Sequence, residues 1–543
     1  MEPLSPYEAL ELDNDCSIVL ELSKDDPLFE KKMKLLQSKG FNSKERINFK
    51  RDPDFVTITL KVMLQIARII NLDEVELYFG DDGISSPDDP YSHRNELQAL
   101  TSILRLIDIS AYSSTQMQKD LFQKLHDAII DMIHTFAGNN SMQPTIIENH
   151  HCDKENDLLK WGEQNGIRAR LRIAYVKDAG RGAIAREDLK VGDAALEIPA
   201  SLIISEELLR ESDMYHVLKK IEGISSETML LLWSMKEKHN CNSKFKKYFA
   251  TLPEEFHTGF SFGLEAKMAL SDTLLFEEII QANNHLHTQY DGLFPILCKE
   301  HPDIFPPELY TWEQFLWACE LWYSNSMKIM FADGKLRTCL IPIASFFNHS
   351  LYPHIVHYGR IDSATNSLKF CLSRPCSAGE ECFLSYGNFS SSHLITFYGF
   401  VPKGHNPYDI FPLEFEDGTC HMVRATWLSR NNHIFHYGLP TPLLDYLRRL
   451  KSPILNTKTL LQGNLENELE VLEDLLFMFN DLMENLGDAD IDDGIETSWD
   501  VKLATKFKDI HRGIVSSVLT SCYEGIKLLK IELSKCMEED IRG

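Results

Sequence analysis

The sequence is short of positive charge. It holds 55 Lys and Arg against 81 Asp and Glu, which leaves a net charge of −26. Because a large negative charge repels phosphate backbones, we expect no nucleic-acid partner and favour a basic segment of another protein as the partner. The first basic residue, Lys24, follows only acidic charged residues, which fits neither a secretory signal nor an Arg-rich transit peptide. We expect a monomer that is cytoplasmic, nuclear or both.

Long apolar runs and paired cysteine motifs are also missing. No run approaches the roughly 18 apolar residues that span a bilayer, so we expect no membrane association. The twelve cysteines include no C-x-x-C pair and are interpreted as reduced core thiols. Strand alternation predicts that Cys371, Cys376 and Cys382 point to different faces, and we expect no metal site.

The chain divides into three parts by its patterns. Its 543 residues exceed the size at which one hydrophobic core stops growing. Apolar residues at helical spacing predict a mostly helical region over residues 1–155. Short strands and tight turns predict a β-rich domain over 165–402, interrupted by a helical insert at about 205–330. Helical spacing resumes over 403–543. The fold class is therefore α+β.

One serine lies in a G-x-S-x-G sequence, Gly259 to Gly263. A hydrolase built on Ser261 would need a strand before this turn and a helix after it. The preceding residues contain proline and charge instead of a buried strand. A loop before a helix is the preferred interpretation, and the hydrolase is kept as a minor alternative.

Ala179, Gly180, Arg181 and Gly182 follow a predicted strand. A dinucleotide fingerprint would need a third glycine and an acidic residue about twenty positions later. Alone, these residues fit a plain hairpin turn as well as a ligand site. The glycines would allow the backbone to approach a ligand closely.

Two apolar runs end abruptly in polar residues. Residues 341–350 read IPIASFFNHS, and residues 382–387 read CFLSYG. We predict that these polar ends meet in one site formed by Asn348, His349 and Tyr386. Each of the three residues alone would more often be structural.

These runs occur together with FYGFVPKGHNPYD at residues 397–409 and GRGAIAREDLKVGDAALEIP at residues 180–199. In this order the motifs resemble the SET-domain protein methyltransferases, in particular the branch of the plant Rubisco large-subunit lysine methyltransferase. The resemblance covers residues 167–409 strongly and the helical tail weakly. It implies a β-rich SET fold with a helical insert, an N-terminal helical region of unknown role, and a C-terminal helical substrate-binding domain over 403–543.

The resemblance also implies an activity, a cofactor and residue roles. The activity would be methyl transfer from S-adenosylmethionine to a lysine of another protein, with histidine as an alternative acceptor. A non-histone substrate is favoured because the Cys-rich clusters of the zinc-bearing branches are missing. The cofactor would be held by residues around the glycine turn and by the adjacent residues Asn348 and His349. The acceptor would lie beside aromatic side chains. By position these are Ala179, Gly180, Arg181, Gly182, Asn348, His349 and Tyr386 for the cofactor, Tyr386 for catalysis, and Tyr398 and Phe347 for the substrate.

Two positions depart from the pattern of this branch. Asn325 stands where an arginine is usual, and Ser345 stands where an aspartate is usual. They motivate an alternative function, a SET-fold binding or scaffold protein with weak or no catalysis.

Overall fold

The computed structural model describes residues 16–49, 53–79, 91–112, 116–138, 145–147, 151–271, 273–424, 433–452, 458–487 and 497–542. Runs of helices and runs of strands follow one another along the chain, and the described strands form one four-stranded sheet and several two-stranded ones. The predicted α+β class is confirmed. Among the described helices, none combines the length and the apolar composition that a membrane crossing requires.

The described residues of the N-terminal region are mainly helical and include one antiparallel strand pair. This strand pair, which the helical pattern did not predict, pairs Cys16 with Phe49 and Glu21 with Lys44. The helices pack buried apolar side chains against one another and against the strand pair. In chain order the elements are β1 (Cys16–Glu21), α1 (Phe29–Ser38), β2 (Lys44–Phe49), α2 (Pro53–Ile70), α3 (Glu74–Phe79), α4 (His93–Tyr112) and α5 (Gln116–Gly138).

The middle of the chain builds a β framework around a helical insert. Before the insert come α6 (Asp153–Gln164), β3 (Arg168–Ala169), β4 (Leu171–Val176), β5 (Gly180–Ala185) and β6 (Ala194–Pro199). The insert holds α7 (Glu206–Leu209), α8 (Tyr215–Leu218), α9 (Ser226–His239), α10 (Lys246–Phe249), α11 (Leu264–Ala269), α12 (Leu274–Glu300) and α13 (Trp312–Asn325). After it come β7 (Ser326–Met330), β8 (Leu336–Leu340), β9 (Ile361–Asp362), β10 (Ser367–Cys371) and α14 (Ser391–Tyr398).

Strands from both sides of the insert share the largest sheet, in the antiparallel order β3-β6-β10-β9. The pairs β4-β5 and β7-β8 form separate hairpins. Several helices begin at a hydroxyl side chain that accepts a backbone N–H of the first turn, which stabilises the helix start. These N-caps are Ser225, Thr273, Thr311 and Ser390.

The C-terminal part has a core of its own. It contains β11 (Phe411–Glu414), β12 (Cys420–Val423), α15 (Thr441–Lys451), α16 (Gln462–Leu486) and α17 (Trp499–Arg542). Their buried apolar faces form one cluster. A smaller cluster joins α17 to the insert, since Ala504 and Phe507 pack with Phe262 and Leu270. On the opposite flank, Tyr352 and Val356 of the β framework pack against the N-terminal core.

Candidate active site

The two apolar runs lie side by side, and their polar ends meet. His349 pairs with Leu384 in a parallel bridge. The Leu384 N–H donates to the Asn348 carbonyl at 2.9 Å, and the Ser350 N–H donates to the Leu384 carbonyl at 3.1 Å. The first run reaches this position through Ile343, a buried β-branched residue with a φ of 70°. Such a conformation costs about 1–3 kcal/mol and is held by the surrounding packing.

Tyr386 is fixed on the first run at both of its polar ends. Its backbone N–H donates to Nδ1 of His349 at 3.1 Å, and its hydroxyl donates to the Phe347 carbonyl at 2.8 Å. Burial raises the pKa of Tyr386, so the phenol keeps its proton at neutral pH. Because the hydroxyl donates its proton to the Phe347 carbonyl, its oxygen can still accept a hydrogen bond from another group.

His349 is neutral in this arrangement. Burial lowers the pKa of His349 to about 4. Because Nδ1 accepts the Tyr386 N–H, the ring proton lies on Nε2. The imidazole therefore orients Tyr386 without bringing a positive charge into the site.

The predicted glycine turn, Ala179 to Gly182, lies where β4 and β5 join in a hairpin. It contacts Asn348. Val176 pairs with Gly180, which has a φ of 71°. The Asn348 amide donates to the Arg181 carbonyl at 3.1 Å. Ala179 closes the turn by donating its N–H to the Val176 carbonyl at 3.2 Å. The structure thus brings the predicted cofactor residues of both segments together.

Glu381 joins the two segments, and the sequence analysis did not find it. This residue is 2% exposed, and its Oε1 accepts the Asn348 amide at 2.7 Å. A Cβ at Gly182 would lie 2.4 Å from the same oxygen, so only glycine fits there unless the carboxylate moves. Burial raises the pKa of Glu381. The one sequence signal was the acidic pair before the second run, which resembles a solvent-facing strand start.

Arg181 connects the turn to its surroundings. Its guanidinium donates to Glu155 of α6 at 2.8 Å and to the Thr251 carbonyl of the insert. The same group lies 5.1 Å from the centre of the Phe346 ring. The side chain is 22% exposed, so one face of this cation remains open beside the turn.

The two departures from the family pattern have different surroundings. The Asn325 amide donates to the Ser324 hydroxyl at 2.8 Å and so supplies no charge. Ser345 lies beside the fully buried Tyr248, and the two hydroxyls interact. Burial raises the pKa of Tyr248. Ser345 therefore supplies a polar partner for a buried phenol but no charge.

Aromatic rings surround Tyr386 on its other side. Tyr398 stacks on it with ring centres 4.9 Å apart, and Phe400 lies edge-on at 6.3 Å. The Phe347 ring, predicted to line the substrate channel, is 1% exposed and packs on Phe370 at 5.4 Å. Its carbonyl, which holds the Tyr386 hydroxyl, is the part of Phe347 that reaches the site.

Ser261 does not have the surroundings of a nucleophile. Gly259–Ser261 is one turn of 3₁₀ helix preceded by a loop, as the preferred interpretation expected. The Ser261 hydroxyl donates to the buried Glu320 at 2.6 Å, and Thr258 donates to the same oxygen at 2.7 Å. Both hydroxyls serve to satisfy a buried carboxylate.

The expectation that alternation separates the cysteines fails for one pair. The Cys376 and Cys382 thiols and one ring nitrogen of His354 lie within 4.8 Å of one another, all buried. The His354 ring is already engaged: Nδ1 accepts the Phe383 N–H at 3.0 Å, and Nε2 lies 3.2 Å from Glu380 Oε1. A neutral imidazole has one acceptor nitrogen, and a backbone donor occupies it here. The cluster is therefore interpreted as a satisfied core.

Family comparisons agree with this geometry. Residues 180–387 match the model of the SET domain, which spans both apolar runs and the glycine turn. We call this part of the chain the SET domain because of that match. A second model, the Rubisco LSMT substrate-binding domain, matches residues 23–132. This match lies in the N-terminal region, to which the sequence analysis assigned no role. The assignment of the C-terminal helices to substrate binding stays a prediction.

Curated relatives with this SET domain include enzymes with two kinds of acceptor. The actin-histidine N-methyltransferase of Rhinolophus ferrumequinum is 24% identical over 69% of this chain and 63% of that protein. The Rubisco large-subunit N-methyltransferase of Pisum sativum is 24% identical over 53% of this chain and 62% of its own length. The fructose-bisphosphate aldolase-lysine N-methyltransferase of Arabidopsis thaliana is 25% identical over 58% of this chain and 67% of its own.

A solved structure shares the fold. The SET domain of LSMT bound to lysine and AdoHcy superposes with a TM-score of 0.52 at 16% identity, covering 70% of this chain and 92% of that one. The chain spans 63% of the length of the actin-histidine relative. The activity of this chain therefore has to be inferred from its own site residues.

Proposed function

We propose that this protein transfers a methyl group from S-adenosylmethionine to a lysine side chain of a non-histone protein. The observation that carries the proposal is the placement of Tyr386. The Tyr386 hydroxyl donates to the Phe347 carbonyl at 2.8 Å, and the Tyr386 backbone N–H donates to His349. Asn348, the residue before His349, contacts the glycine turn. Tyr386 thus lies between the residues that contact the glycine turn and the aromatic rings of Tyr398 and Phe400.

The residues around the turn fit the cofactor. Arg181, Asn348 and His349 are polar and only partly buried. A zwitterionic ligand needs such groups, because its buried polar atoms must be satisfied. Ala179, Gly180, Arg181, Gly182, Asn348, His349 and Tyr386 would hold it. When bound, S-adenosylmethionine supplies an electrophilic methyl group on a positively charged sulfur.

The side chains around Tyr386 favour an amine acceptor. A free lysine has a pKa near 10.4, so on the order of 0.1% is neutral at pH 7. The apolar surface of Tyr398 and Phe400 would disfavour the charged ammonium beside Tyr386 and so favour the neutral amine. The Tyr386 oxygen would accept a hydrogen bond from the amine and so orient its lone pair.

Histidine is the second candidate acceptor. It is supported by the 24% identity with the actin-histidine N-methyltransferase, which spans more of this chain than the match to either lysine enzyme does. The partner is a protein in both cases. The basic segment on that partner, the monomeric state, the absence of nucleic-acid binding and the cytoplasmic or nuclear location stay predictions.

Two measurements test the proposal. Calorimetry should detect S-adenosylmethionine binding, and labelled methyl from the cofactor should reach proteins of a cell extract, with methyl-lysine identified after hydrolysis. Methyl-histidine as the product would establish the second candidate. Cofactor binding without any transfer would establish the scaffold alternative. Absence of binding at high micromolar cofactor would refute the enzyme.

Tyr386→Phe tests the catalytic role. Because only the hydroxyl is removed, we expect transfer to fall by about 100-fold or more while cofactor affinity changes little. Tyr310→Phe is the matched control, since it removes a buried phenol whose hydroxyl donates to the Leu232 carbonyl within the insert. An equal loss of binding and transfer in Tyr386→Phe would count against catalysis by this residue.

A further inference from the structure

One carboxylate of the N-terminal region serves two structures at once. Asp73 precedes α3, and its Oδ1 accepts the Glu76 N–H at 2.8 Å while the Asp73 N–H donates to Glu76 Oε2 at 3.1 Å. This reciprocal pair is a capping box, which needs only one of the two Asp73 oxygens. The second oxygen points away from the helix that the first one caps.

That second oxygen contacts the SET domain beside the tyrosine. Asp73 Oδ2 accepts the Asn388 amide at 2.9 Å and the Tyr408 hydroxyl at 2.8 Å. Asn388 is the second residue after Tyr386 in the chain. The guanidinium of Arg94 lies 3.3 Å from the same oxygen, and both charged side chains are largely buried, at 18% and 14% exposed. Hydrogen bonds to an ionised acceptor are roughly twice as strong as neutral ones.

Residues 406–409, which include Tyr408, also bind residues 388–391, the loop that follows Tyr386. The Asn406 amide donates to the Phe389 carbonyl at 3.0 Å. The Asp409 carboxylate accepts the Ser391 N–H at 2.6 Å and the Ser391 hydroxyl at 2.8 Å. Residues 388–391 are therefore anchored from one side by residues 406–409, which are themselves bonded to Asp73.

The loop needs external support because its own backbone is permissive. Gly387 has a φ of 139°, a conformation open to glycine, and it directly follows Tyr386. The contacts of Tyr386 to His349 and Phe347 hold the residue from the SET side. Asp73 holds the following residues from the N-terminal region.

We propose that Asp73 is a positioning residue for Tyr386, acting through Asn388 and Tyr408. This inference rests on the proposed function, and it goes further by making methyl transfer depend on how the N-terminal region docks. That region is the one that matches the substrate-binding model, so a protein substrate bound there would contact the element that orients the catalytic tyrosine.

Asp73→Ser separates the two tasks of this carboxylate. Serine is an equally good N-cap, so α3 keeps its start, but its single short side-chain oxygen cannot also reach Asn388 and Tyr408. We expect a fall of about 10-fold in kcat with the S-adenosylmethionine Kd within about 2-fold of the wild type. Glu74→Gln is the matched control, because Glu74 is the next residue and its side chain is 67% exposed.

Tyr408→Phe breaks the same contact from the other side. We expect a smaller loss in kcat, and the double variant Asp73→Ser, Tyr408→Phe should lose less than the product of the two single effects, since the residues share one interaction. Multiplicative losses would show that Asp73 and Tyr408 act separately and would overturn the proposal.

Hydrogen exchange of residues 385–390 tests the positioning without turnover. Asp73→Ser should raise exchange there and leave α5 unchanged, whereas Glu74→Gln should do neither. Unaltered exchange, or a kcat equal to that of the wild type, would refute the role of Asp73. If the wild type transferred no methyl group, the proposed function would fail, and the exchange measurement would still decide whether Asp73 holds the loop.

Discussion

Two helical regions flank the SET domain, and they contact different parts of it. The N-terminal region contacts the loop after Tyr386 through Asp73 on Asn388, and it contacts β12 of the C-terminal part through Tyr78 on His421. The C-terminal helices dock on the insert, where α17 contributes Phe507 to an apolar cluster and Asp500 accepts the Gly263 N–H at 2.9 Å.

This difference shows that position in the chain does not decide what a flanking region does. Both flanking regions have a core of their own, and the described contacts place the N-terminal region on the tyrosine loop. The match of residues 23–132 to a substrate-binding model agrees with that placement. We expect the region bonded to the loop to alter catalysis, and we expect the C-terminal helices, which pack on the insert and on Ile395 of α14, to act mainly on stability.

The largest expected effect comes from matched buried ion pairs, one in each flank. Arg68 binds Glu96 through two hydrogen bonds of 2.6 and 2.9 Å, and Arg448 binds Glu468 in the same two-pronged way. Glu96→Ala removes the bidentate partner of a buried arginine and should lower the free energy of unfolding by about 3–5 kcal/mol. Glu468→Ala should lower it by less, because Asp445 still accepts a hydrogen bond from Arg448 at 2.6 Å.

Transfer separates these two variants. Measured at a temperature where circular dichroism shows both folded, Glu96→Ala should slow methyl transfer and Glu468→Ala should leave it near the wild-type rate. The reason is that α2 and α4 carry the first pair, and Arg94 of α4 lies on Asp73. Equal slowing in both variants would remove the distinction between the flanks.

An acid-sensitive histidine in the C-terminal flank provides the next test. Burial lowers the pKa of His511 to about 4, from an ordinary value near 6.5. The unfolded chain then binds a proton as the pH falls below 6.5 while the folded chain does not. Stability is thus complete above pH 6.5 and is lost towards pH 4, by about 3 kcal/mol over the whole range.

His511→Leu should remove this part of the loss of stability in acid without changing the rate of methyl transfer. His349 has a pKa lowered in the same direction but contacts Tyr386, so its replacement should change both quantities. Urea unfolding at pH 7 and pH 5 measures the difference. A variant of His511 with the same acid loss as the wild type would show that the proton binds elsewhere.

The sequence predicted the parts of the site that are local in the chain. Residues 341–350 and 382–387 each change from apolar to polar at one point, which allowed their meeting to be predicted. Glu381 was missed because an acid pair before a strand is typical of an exposed edge. Asp73 was missed because its contact to Asn388 joins residues 315 positions apart, and no local pattern records such a pairing.

The fold was predictable to a similar depth. Helical spacing predicted that the N-terminal region is mostly helical, but β1 and β2 are short strands whose pairing depends on the helices that cover them. The meeting of Cys376 and Cys382 arises from the path of the chain between them and not from strand alternation. Tertiary packing decided each of these cases.

The smallest expected effect distinguishes docking in general from the contact made by Asp73. The Tyr78 hydroxyl lies 3.1 Å from His421 Nδ1 and accepts the Met422 N–H at 3.3 Å, at the same junction but away from the tyrosine loop. Tyr78→Phe should lower the free energy of unfolding by about 1 kcal/mol and leave kcat within about 2-fold of the wild type. Asp500→Asn, which weakens one hydrogen bond to the insert, is its counterpart in the C-terminal flank. If Tyr78→Phe slowed transfer as much as Asp73→Ser, the whole N-terminal junction, and not one carboxylate, would orient Tyr386.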